Sequence, residues 1–475
     1  MAVTQEQLKL FQDCYADYLI RQAYYDKHNQ YYNGYTDSLS NFKPMEGRSN
    51  LKVKANFVQK LVDEEVEYSF GNDITYTSLD GNTEVIKDIA YNFRNNPEDH
   101  DIALGVELIK YGVAFEISNY FKVGVDDITG KNIYKFKNKI VSPLDGYLYI
   151  KDDEPVCFLH MFDKQLDKQN HFIDVYTDKL IYHFDTTWKE VDKPTIHNFG
   201  FVPVGFGYIG GQQYNDKRGY VEGDKTIFKT IKDIQDSYET NWSDMVSEVS
   251  DFRNAILKLY GVESENEKDK DGNDILDSNG KPIKKTPVIR DNCILLFGDK
   301  TSQDAEWLIK NINDTFIKNT RDDLKDLIYT LTSHIDNNEK MQSNLSGIAL
   351  RSRLHSLESK CKKNEKAMAN IIKTRLKCLF RFLDLTESKE YDENLIKIEF
   401  TPSIPQDLVN IADIISKIPH EVLSNETKRA MLPNVNNSVV EQERIDRENE
   451  ASEPKIDLDT IPQGNNTGGE VNEEQ

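Results

Sequence analysis

A long apolar seam between positions 227 and 259 constrains the fold of this chain more than any other feature. Its members follow one another at intervals of three or four residues: Ile227, Ile231, Ile234, Tyr238, Trp242, Met245, Val249, Phe252, Ile256 and Leu259. This spacing is typical of a helix that packs lengthwise on a partner helix, with one four-residue stutter in a heptad-like repeat. We predict a single helix of roughly 50 Å, which Gly261 ends.

Further helices are indicated by the same periodicity. Thr4 and Gln7 form a capping box at the start of a helix that reaches about Tyr25. Other helices are predicted at 56–70, from about 302 to 332, from 346 past 380, at 407–417 and at 425–431. The chain therefore contains several long helices besides the seam.

Between 101 and 204 the pattern changes to short alternating segments with turn signals, which are typical of antiparallel strands. A hairpin is predicted where 125–130 separates Tyr120-Phe121 from 133–136. Other segments with strand signals lie at 146–150, 156–161, 172–176 and 180–184. Asn279-Gly280 predicts a further hairpin turn, which leads to a strand at 293–297. Helices and antiparallel strands together predict the α+β fold class.

Charge and cysteine usage exclude several function classes. The 59 Lys and Arg against 81 Asp and Glu give a net charge of −22, which opposes tight DNA binding over most of the surface. The five cysteines are scattered and never form C-x-x-C, which argues against a disulfide framework or a zinc ribbon. No apolar run approaches the roughly 18 residues of a membrane span, and positions 1–7 lack a signal-peptide pattern. We expect a protein of a reducing cytoplasm.

Two short motifs suggest ligand sites but lack the context that such sites require. Gly205-Phe206-Gly207-Tyr208-Ile209-Gly210 is a G-x-G-x-x-G, yet no βαβ alternation surrounds it, so we interpret it as a glycine-rich strand exit. The run 269–280 resembles the start of an EF-hand, but Asp274 stands where that loop needs Gly, and Gly280 where it needs Glu. We predict no catalytic, cofactor or metal site.

A set of short motifs is distributed in order over about residues 15 to 450. The motifs are Tyr31-Tyr32-Asn33-Gly34, Asn50-Leu51, Asn56-Phe57, Leu61-Val62-Asp63, Tyr68-Ser69-Phe70-Gly71, Asn198-Phe199-Gly200-Phe201-Val202-Pro203-Val204, Leu345-Ser346-Gly347-Ile348-Ala349-Leu350, Leu423-Ser424-Asn425-Glu426-Thr427, Leu432-Pro433 and 441–450. In order and spacing they resemble the portal proteins of long-tailed, siphovirus-like double-stranded DNA bacteriophages.

The resemblance implies an α+β portal fold with a wing, a two-helix stem, a β-containing clip, a long wing helix and an α-helical crown. The implied boundaries are a wing at 1–223, a stem helix at 224–261, a clip at 262–300, a returning stem helix at 301–332, a tunnel loop at 333–345, the long wing helix at 346–385 and a crown at 386–450. The acidic segment 451–475 is expected to be disordered.

The resemblance also implies a function without catalysis or cofactor. A homododecameric ring at one capsid vertex would let double-stranded DNA pass during packaging and ejection, without sequence specificity. The ring would dock the terminase and the head–tail adaptor, and it would help to initiate procapsid assembly with the scaffolding protein and the major capsid protein. Assembly would take place in the bacterial host cytoplasm, and the product would be part of the virion, with no membrane partner.

Candidate contact residues follow from this architecture. A translocating duplex must not be held by many phosphate contacts, so acidic stem residues are channel-facing candidates: Asp233, Asp236, Asp244 and Asp251. Tunnel-loop candidates for weak hydrogen bonds to DNA are Asn337, Asn338, Gln342, Ser343 and Asn344, although these residues could equally serve only to solvate a loop. Clip candidates for terminase or adaptor contact are Lys270, Asp271, Asn273 and Asn279.

The helix that begins at 346 differs from the rest of the chain in charge. Between 351 and 381 there are ten Lys or Arg and two Asp or Glu. We expect these charges to pair with acidic groups of neighbouring subunits, while a DNA or scaffold surface is the alternative.

Two other classes of protein stay open at this point. A coiled-coil scaffold or tethering protein would also use the seam at 227–259, although it would not need strands at 101–204. An enzyme whose site assembles only in space would escape a sequence search.

Overall fold

The computed structural model describes residues 3–43, 49–127, 130–164, 166–209, 214–215, 219–220, 226–251, 256–260, 266–284, 304–308, 314–336, 347–402, 415–419, 421–430, 432, 435 and 438–452. The chain forms two compact units. The first comprises Met1–Glu65, Ala103–Asn119 and Asn138–Arg375, and the second comprises Val66–Ile102, Tyr120–Lys137 and Leu376–Gln475. Helices and antiparallel strands combine in the α+β class.

Helices make up about half of the described residues. In chain order they are α1 (Gln5–Tyr32), α2 (Asp37–Asn41), α3 (Phe57–Phe70), α4 (Thr83–Phe93), α5 (His100–Tyr111), α6 (Ile227–Asp251), α7 (Asp314–Thr332), α8 (Gly347–Glu387), α9 (Asn425–Ala430) and α10 (Ser438–Ser452). Within the part of the chain that the structure describes, no helix combines the length and apolarity needed to cross a membrane.

The strands form antiparallel sheets. In chain order they are β1 (Thr75–Ser78), β2 (Val113–Val125), β3 (Asn132–Val141), β4 (Gly146–Lys151), β5 (Glu154–Lys164), β6 (Asp167–Tyr176), β7 (Leu180–Asp185), β8 (Glu190–Ile196), β9 (Val204–Tyr208), β10 (Tyr214–Asn215), β11 (Gly219–Tyr220), β12 (Ile256–Tyr260), β13 (Asp304–Leu308) and β14 (Ile396–Glu399). The sheet orders are β4-β5-β6-β7-β8, β3-β2-β9, β1-β14, β10-β11 and β12-β13.

Helix α1 covers the five-stranded sheet and begins where the sequence predicts. The Thr4 side chain accepts from the Gln7 amide at 3.2 Å and the Gln7 side chain accepts from the Thr4 amide at 3.1 Å, so the capping box is confirmed. Phe11 and Tyr18 are buried in one core cluster with side chains of strands β4 to β7. The helix runs one to two turns beyond the predicted end near Tyr25, because the buried stripe continues through Tyr31.

Several other predicted elements are confirmed. Helix α3 covers the predicted 56–70, α8 covers most of the helix predicted from 346, and α9 covers 425–430. The hairpin predicted around 125–130 is formed by β2 and β3, and the strands predicted between 146 and 184 correspond to β4, β5, β6 and β7. The strand predicted at 293–297 and most of the helix predicted at 407–417 lie outside the described residues.

The prediction of one helix through 259 is wrong. Helix α6 ends at Asp251, and Ile256–Tyr260 is strand β12, paired with β13 in the register Leu257↔Trp307 and Leu259↔Ala305. The returning helix likewise begins at Asp314 and not near 302. Apolar residues at 256, 257 and 259 fit both a helical seam and a strand, and a partner strand more than forty residues away cannot be seen in local periodicity.

The start of the strand-rich region is also different from the prediction. Residues from 101 to 111 belong to helix α5, whose buried Leu104, Leu108 and Tyr111 recur at helical spacing. Strands β1 and β14, which were not predicted, pair from Thr75↔Glu399 to Ser78↔Ile396 in the second unit. Such short strands have little sequence signal until their distant partner is known.

The G-x-G-x-x-G segment is explained by packing. Gly205 and Gly207 lie in β9, and a Cβ added to them would lie 2.7 Å from the Ile371 carbonyl oxygen and 2.3 Å from the Ala367 carbonyl oxygen of α8. The glycines therefore let a strand approach a helix backbone closely. The interpretation as a glycine-rich strand segment fits, and the motif has no need of a nucleotide.

Candidate nucleic-acid interface

Helices α6 and α7 pack on each other through part of the predicted seam. The Arg321 guanidinium lies 4.4 Å from the centre of the Trp242 ring, and its Nη1 lies 3.9 Å from the Met245 sulfur. Tyr238 is in edge contact with Phe57 at 5.1 Å between ring centres. Further along α6, Val249 is 62% exposed. The seam is thus partly covered by α7 and partly left at the surface of the single chain.

After the first two turns of α6, the most deeply buried face of the helix is polar. Four backbone amides donate to side chains that recur every four residues: Val58 N to Gln235 Oε1 at 3.2 Å, Ala55 N to Glu239 Oε1 at 3.0 Å, Val53 N to Ser243 Oγ at 3.0 Å, and Leu51 N to Ser247 Oγ at 3.0 Å. Leu51, Val53 and Ala55 are two residues apart, and two residues of an extended chain rise roughly 6.7 Å, close to the roughly 6 Å of four helical residues. The fourth donor, Val58, lies in the first turn of α3. We call these four bonds the amide ladder.

The amide ladder is a feature that sequence reasoning missed. Polar residues at helical spacing predict a solvated face, whereas Gln235, Glu239 and Ser243 are fully buried. The Glu239 carboxylate also accepts from the hydroxyls of Thr36 and Ser38. A buried carboxylate is tolerated when several donors satisfy its oxygens.

Of the predicted channel-facing acids, Asp236 is engaged inside the chain. Its carboxylate accepts from the Tyr31 hydroxyl at 2.8 Å and from the Ser38 amide at 3.3 Å, and it pairs with Lys232 at 3.1 Å. Although burial opposes the Lys232 charge, the hydrogen bond and charge of Asp236 raise the pKa of Lys232. Asp236 therefore connects α6 to α1 and α2.

The other stem candidates differ from Asp236. Asp233 is 94% exposed, and Asp244 is exposed beside a shallow depression that α2 also lines. Asp251 is the last residue of α6, and its side chain lies outside the described residues. Helix α7 adds exposed carboxylates that sequence reasoning missed: Asp322, Asp323 and Asp326. With six acids and two lysines in α6, and four acids and three bases in α7, both helices are net negative.

The clip candidates lie on two exposed tight turns within 266–284. Asp269 Oδ1 accepts from the Asp271 and Asn273 amides, both at 2.9 Å, and the Asn273 amide lowers the pKa of Asp269. Asp277 repeats this pattern with the amides of Asn279 and Lys281. The hairpin turn predicted at Asn279-Gly280 is confirmed, since Gly280 has φ +78° and its amide bonds to the Asp277 carbonyl. Lys270, Asp271, Asn273 and Asn279 are all exposed.

The five tunnel-loop candidates, at 337–344, lie outside the described residues, but the segment before them is well defined. His334 Nδ1 lies 3.0 Å from the Thr332 carbonyl, and Nε2 lies 3.1 Å from the Leu61 carbonyl. Burial, followed by the charge of Lys360, lowers the pKa of His334 to about 3, so the neutral ring donates to only one of them. Lys360 also pairs with the buried Glu65, which accepts from Asn364 at 3.0 Å.

Several positive charges of α8 are paired within the chain. Arg375 and Glu116 form a two-pronged ion pair, from Nε to Oε2 and from Nη2 to Oε1, both at 2.8 Å. Lys360 pairs with Glu65, and the Lys362 ammonium lies 3.2 Å from the Glu358 carboxylate. For these residues the expectation of pairing between subunits is wrong, because the partners lie in the same chain.

A cavity of about 550 Å³ beneath α1 contains titratable groups but no catalytic arrangement. The Lys139 ammonium donates to His160 Nε2 at 3.3 Å, and burial lowers the pKa of His160 to about 3. His171 instead pairs with Asp163 at 2.6 Å, on the exposed side. No nucleophile, base and orienting group line up here. Across the described residues, no group of His, Cys, Asp or Glu is placed to hold a metal ion.

Comparison with known proteins identifies the class. The family model described as Phage portal protein, SPP1 Gp6-like, matches residues 12–455. No curated protein matches this chain. Among solved structures, a chain described as "Neck of empty GTA particle computed with C6 symmetry" is similar at 11% identity with a TM-score of 0.41, over 79% of this chain and 88% of that one.

The family match covers nearly the whole chain, so the class is a structural, non-enzymatic component of a virion, at the connection of head and tail. The chain belongs to the phage portal protein family, in its SPP1 Gp6-like group. The resemblance and the non-enzymatic class predicted from the sequence are confirmed by this match. The alternatives of an enzyme and of a coiled-coil scaffold are thereby set aside.

Proposed function

We propose that this portal protein forms a ring of twelve copies at one capsid vertex, through which double-stranded DNA is packaged and ejected. The ring docks the terminase and the head–tail adaptor, and it helps to initiate procapsid assembly with the scaffolding and major capsid proteins. It assembles in the cytoplasm of the bacterial host. The support is membership of the portal family, together with the charge of the stem helices.

The observation that carries the proposal is the row of exposed carboxylates on the paired helices α6 and α7. Asp233 and Asp244 on α6, with Asp322, Asp323 and Asp326 on α7, leave this part of the chain negative. Each Lys or Arg contact to a phosphate releases counterions and deepens a salt-dependent energy well. A negative wall avoids such wells, so the duplex can slide.

The same proposal assigns roles to the two remaining groups of candidates. Asn337, Asn338, Gln342, Ser343 and Asn344 make weak contacts with the DNA backbone. Lys270, Asp271, Asn273 and Asn279 contact the terminase or the adaptor. The support for the clip assignment is that carboxylates of Asp269 and Asp277 fix both exposed turns, so little conformational entropy is lost on docking.

A packaging assay with D233K/D244K tests the electrostatic part of the proposal. The new ammonium groups would hold phosphate, so we expect DNA to enter the particle more slowly, by about tenfold at low salt, with partial recovery at high salt. The matched control is D178K/D192K, which changes the charge equally on exposed positions of the five-stranded sheet. Equal packaging rates for both variants would contradict the proposal.

The tunnel-loop assignment has its own test. Replacing Asn337, Asn338, Gln342, Ser343 and Asn344 together by Ala removes every proposed polar contact while the loop keeps its length. We expect slower or incomplete packaging by assembled particles. Packaging at the wild-type rate and extent would show that these residues only solvate the loop.

A further inference from the structure

Helix α1 has two apolar faces, and only one is covered. Phe11, Cys14, Tyr18, Tyr25, His28 and Tyr31 are buried on one side. On the opposite side Ala16, Leu19, Ile20 and Ala23 recur at helical spacing and are exposed, Ile20 by 73%. A helix that is apolar on two sides is usually covered on both. We call the exposed side the outer face of α1.

The outer face of α1 is bordered by acidic groups. Asp13 lies one turn before Ala16 on one margin, and Asp26 lies about one turn after Ala23 on the other. Both are exposed, and Asp26 additionally accepts from the Gln30 side chain at 2.7 Å. A partner for this face would therefore present apolar groups with positive charge beside them.

The hairpin of β2 and β3 carries such a surface. Its inner face packs on α8, since Tyr120 and Phe136 lie 5.5 and 5.7 Å from Phe382 between ring centres, and Tyr120 also contacts Tyr134. Because side chains alternate along a strand, residues 121, 123 and 125 and residues 133, 135 and 137 lie on the opposite side. We call this side the outer face of the hairpin.

The outer face of the hairpin is apolar and basic. Phe121, Val123, Val125 and Ile133 are each between 46% and 53% exposed, and Lys135 and Lys137 follow on the same side of β3. Two lysines therefore lie beside four exposed apolar side chains, in a chain whose net charge is −22. Contiguous exposed apolar groups with a polar border mark interaction sites.

We propose that the outer face of α1 in one copy of this chain docks on the outer face of the β2–β3 hairpin in the next copy. The occupant is a second copy because the exposed carboxylates Asp13 and Asp26 beside the outer face of α1 are opposite in charge to Lys135 and Lys137 on the outer face of the hairpin. Two different surfaces of one chain form a head-to-tail contact, which closes into a ring when the rotation between copies permits it. The interface rests on the ring proposed above and gives it a residue-level contact.

Charge reversal tests the pairing. K135E/K137E places like charges against Asp13 and Asp26 of the next copy, so we expect the fraction of chains in rings, measured by mass photometry, to fall by about tenfold. D13K/D26K should cause the same loss. The combined variant K135E/K137E/D13K/D26K restores opposite charges and should recover the wild-type fraction. I20S, which removes apolar contact alone, should also lower it by about tenfold.

The control is K122E/K151E, with the same charge change on two exposed lysines outside the proposed surface, one of them on the inner side of the hairpin. It should assemble like the wild type, and circular dichroism should show all variants folded. If the wild type forms rings and K135E/K137E forms them equally well, the proposed interface is wrong but the ring is not. The same conclusion follows if the combined variant fails to recover the fraction of chains in rings. A wild-type chain that stays monomeric at every concentration overturns the ring and the interface together.

Discussion

Helices α8 and α6 both carry many charged side chains, and Arg375 on α8 and Asp233 on α6 are opposite extremes in their burial. On α8, Arg375 is only 1% exposed, and its partner Glu116 is wholly buried. On α6, Asp233 is almost fully exposed, and its carboxylate lies 3.3 Å from the Lys232 ammonium of the same helix. Arg375 uses its charge to fix α8 in the fold, whereas Asp233 leaves its charge at the surface.

The comparison separates structural charge from charge that is available to a partner. Buried charges must be paired and hydrogen-bonded, because desolvation costs several kcal/mol per ion. Exposed charges contribute little to stability and are free to act on a passing polyanion. Asp236 shows that both kinds occur on one helix, since it is three residues from Asp233 and yet bonds to Tyr31.

The largest effect is expected at the buried pair. E116Q leaves the Arg375 charge buried without its partner, so the free energy of unfolding should fall by about 3–5 kcal/mol in urea denaturation. E358Q, which breaks the partly exposed Lys362–Glu358 pair of the same helix, should cost less than about 0.5 kcal/mol. Similar losses in the two variants would break the distinction between buried and exposed pairs.

The second effect concerns a buried histidine that must stay neutral. His28 Nδ1 donates to the Tyr24 carbonyl at 3.0 Å and Nε2 lies 3.3 Å from the Thr226 hydroxyl, and burial lowers its pKa from 6.5 to about 4. Between pH 6.5 and 4 the unfolded chain therefore binds a proton that the folded chain does not, so stability falls as the pH falls through this range.

H28Q removes this titration while keeping a neutral, hydrogen-bonding side chain. From pH 7 to pH 4 the wild type should lose about 3 kcal/mol more than H28Q does, as measured by urea denaturation at each pH. Comparing the two proteins cancels the contribution of all other groups. If the stability of both proteins changed equally with pH, His28 would be protonated in the folded chain as readily as in the unfolded chain.

The amide ladder gives an intermediate effect. S243A leaves the part-buried Val53 amide without its acceptor, which should lower the free energy of unfolding by about 1–3 kcal/mol. S237A is the matched control, because Ser237 is exposed and its hydroxyl bonds to the Asp233 carbonyl of its own helix at 2.8 Å. It should change stability by less than about 0.5 kcal/mol. Equal changes would show that the ladder adds nothing.

The smallest effects sharpen the comparison within α6. D236N weakens the contacts to Tyr31 and Lys232 and should cost about 1 kcal/mol. D233N alters an exposed side chain and should stay within about 0.5 kcal/mol of the wild type in the same assay. A cost for D233N as large as that for D236N would place Asp233 among the structural charges.

The sequence indicated the long helices and most strands because their periodicity is local. It could not show that Gln235, Glu239, Ser243 and Ser247 are buried, since the amides that satisfy them lie 177 to 196 residues earlier in the chain. Strand β12 was misread for the same reason, because its partner β13 is distant in sequence. The exposed acids Asp233 and Asp244 could be proposed from sequence, whereas only the structure distinguishes them from Asp236.

The most direct test of the account is negative-stain electron microscopy of the purified chain, with mass photometry on the same sample. We expect rings of about a dozen copies with a central channel, as the proposed passage of DNA requires. Compact monomers or dimers that persist at high concentration and in the presence of scaffolding protein would contradict the account, and elongated rods would contradict it as well.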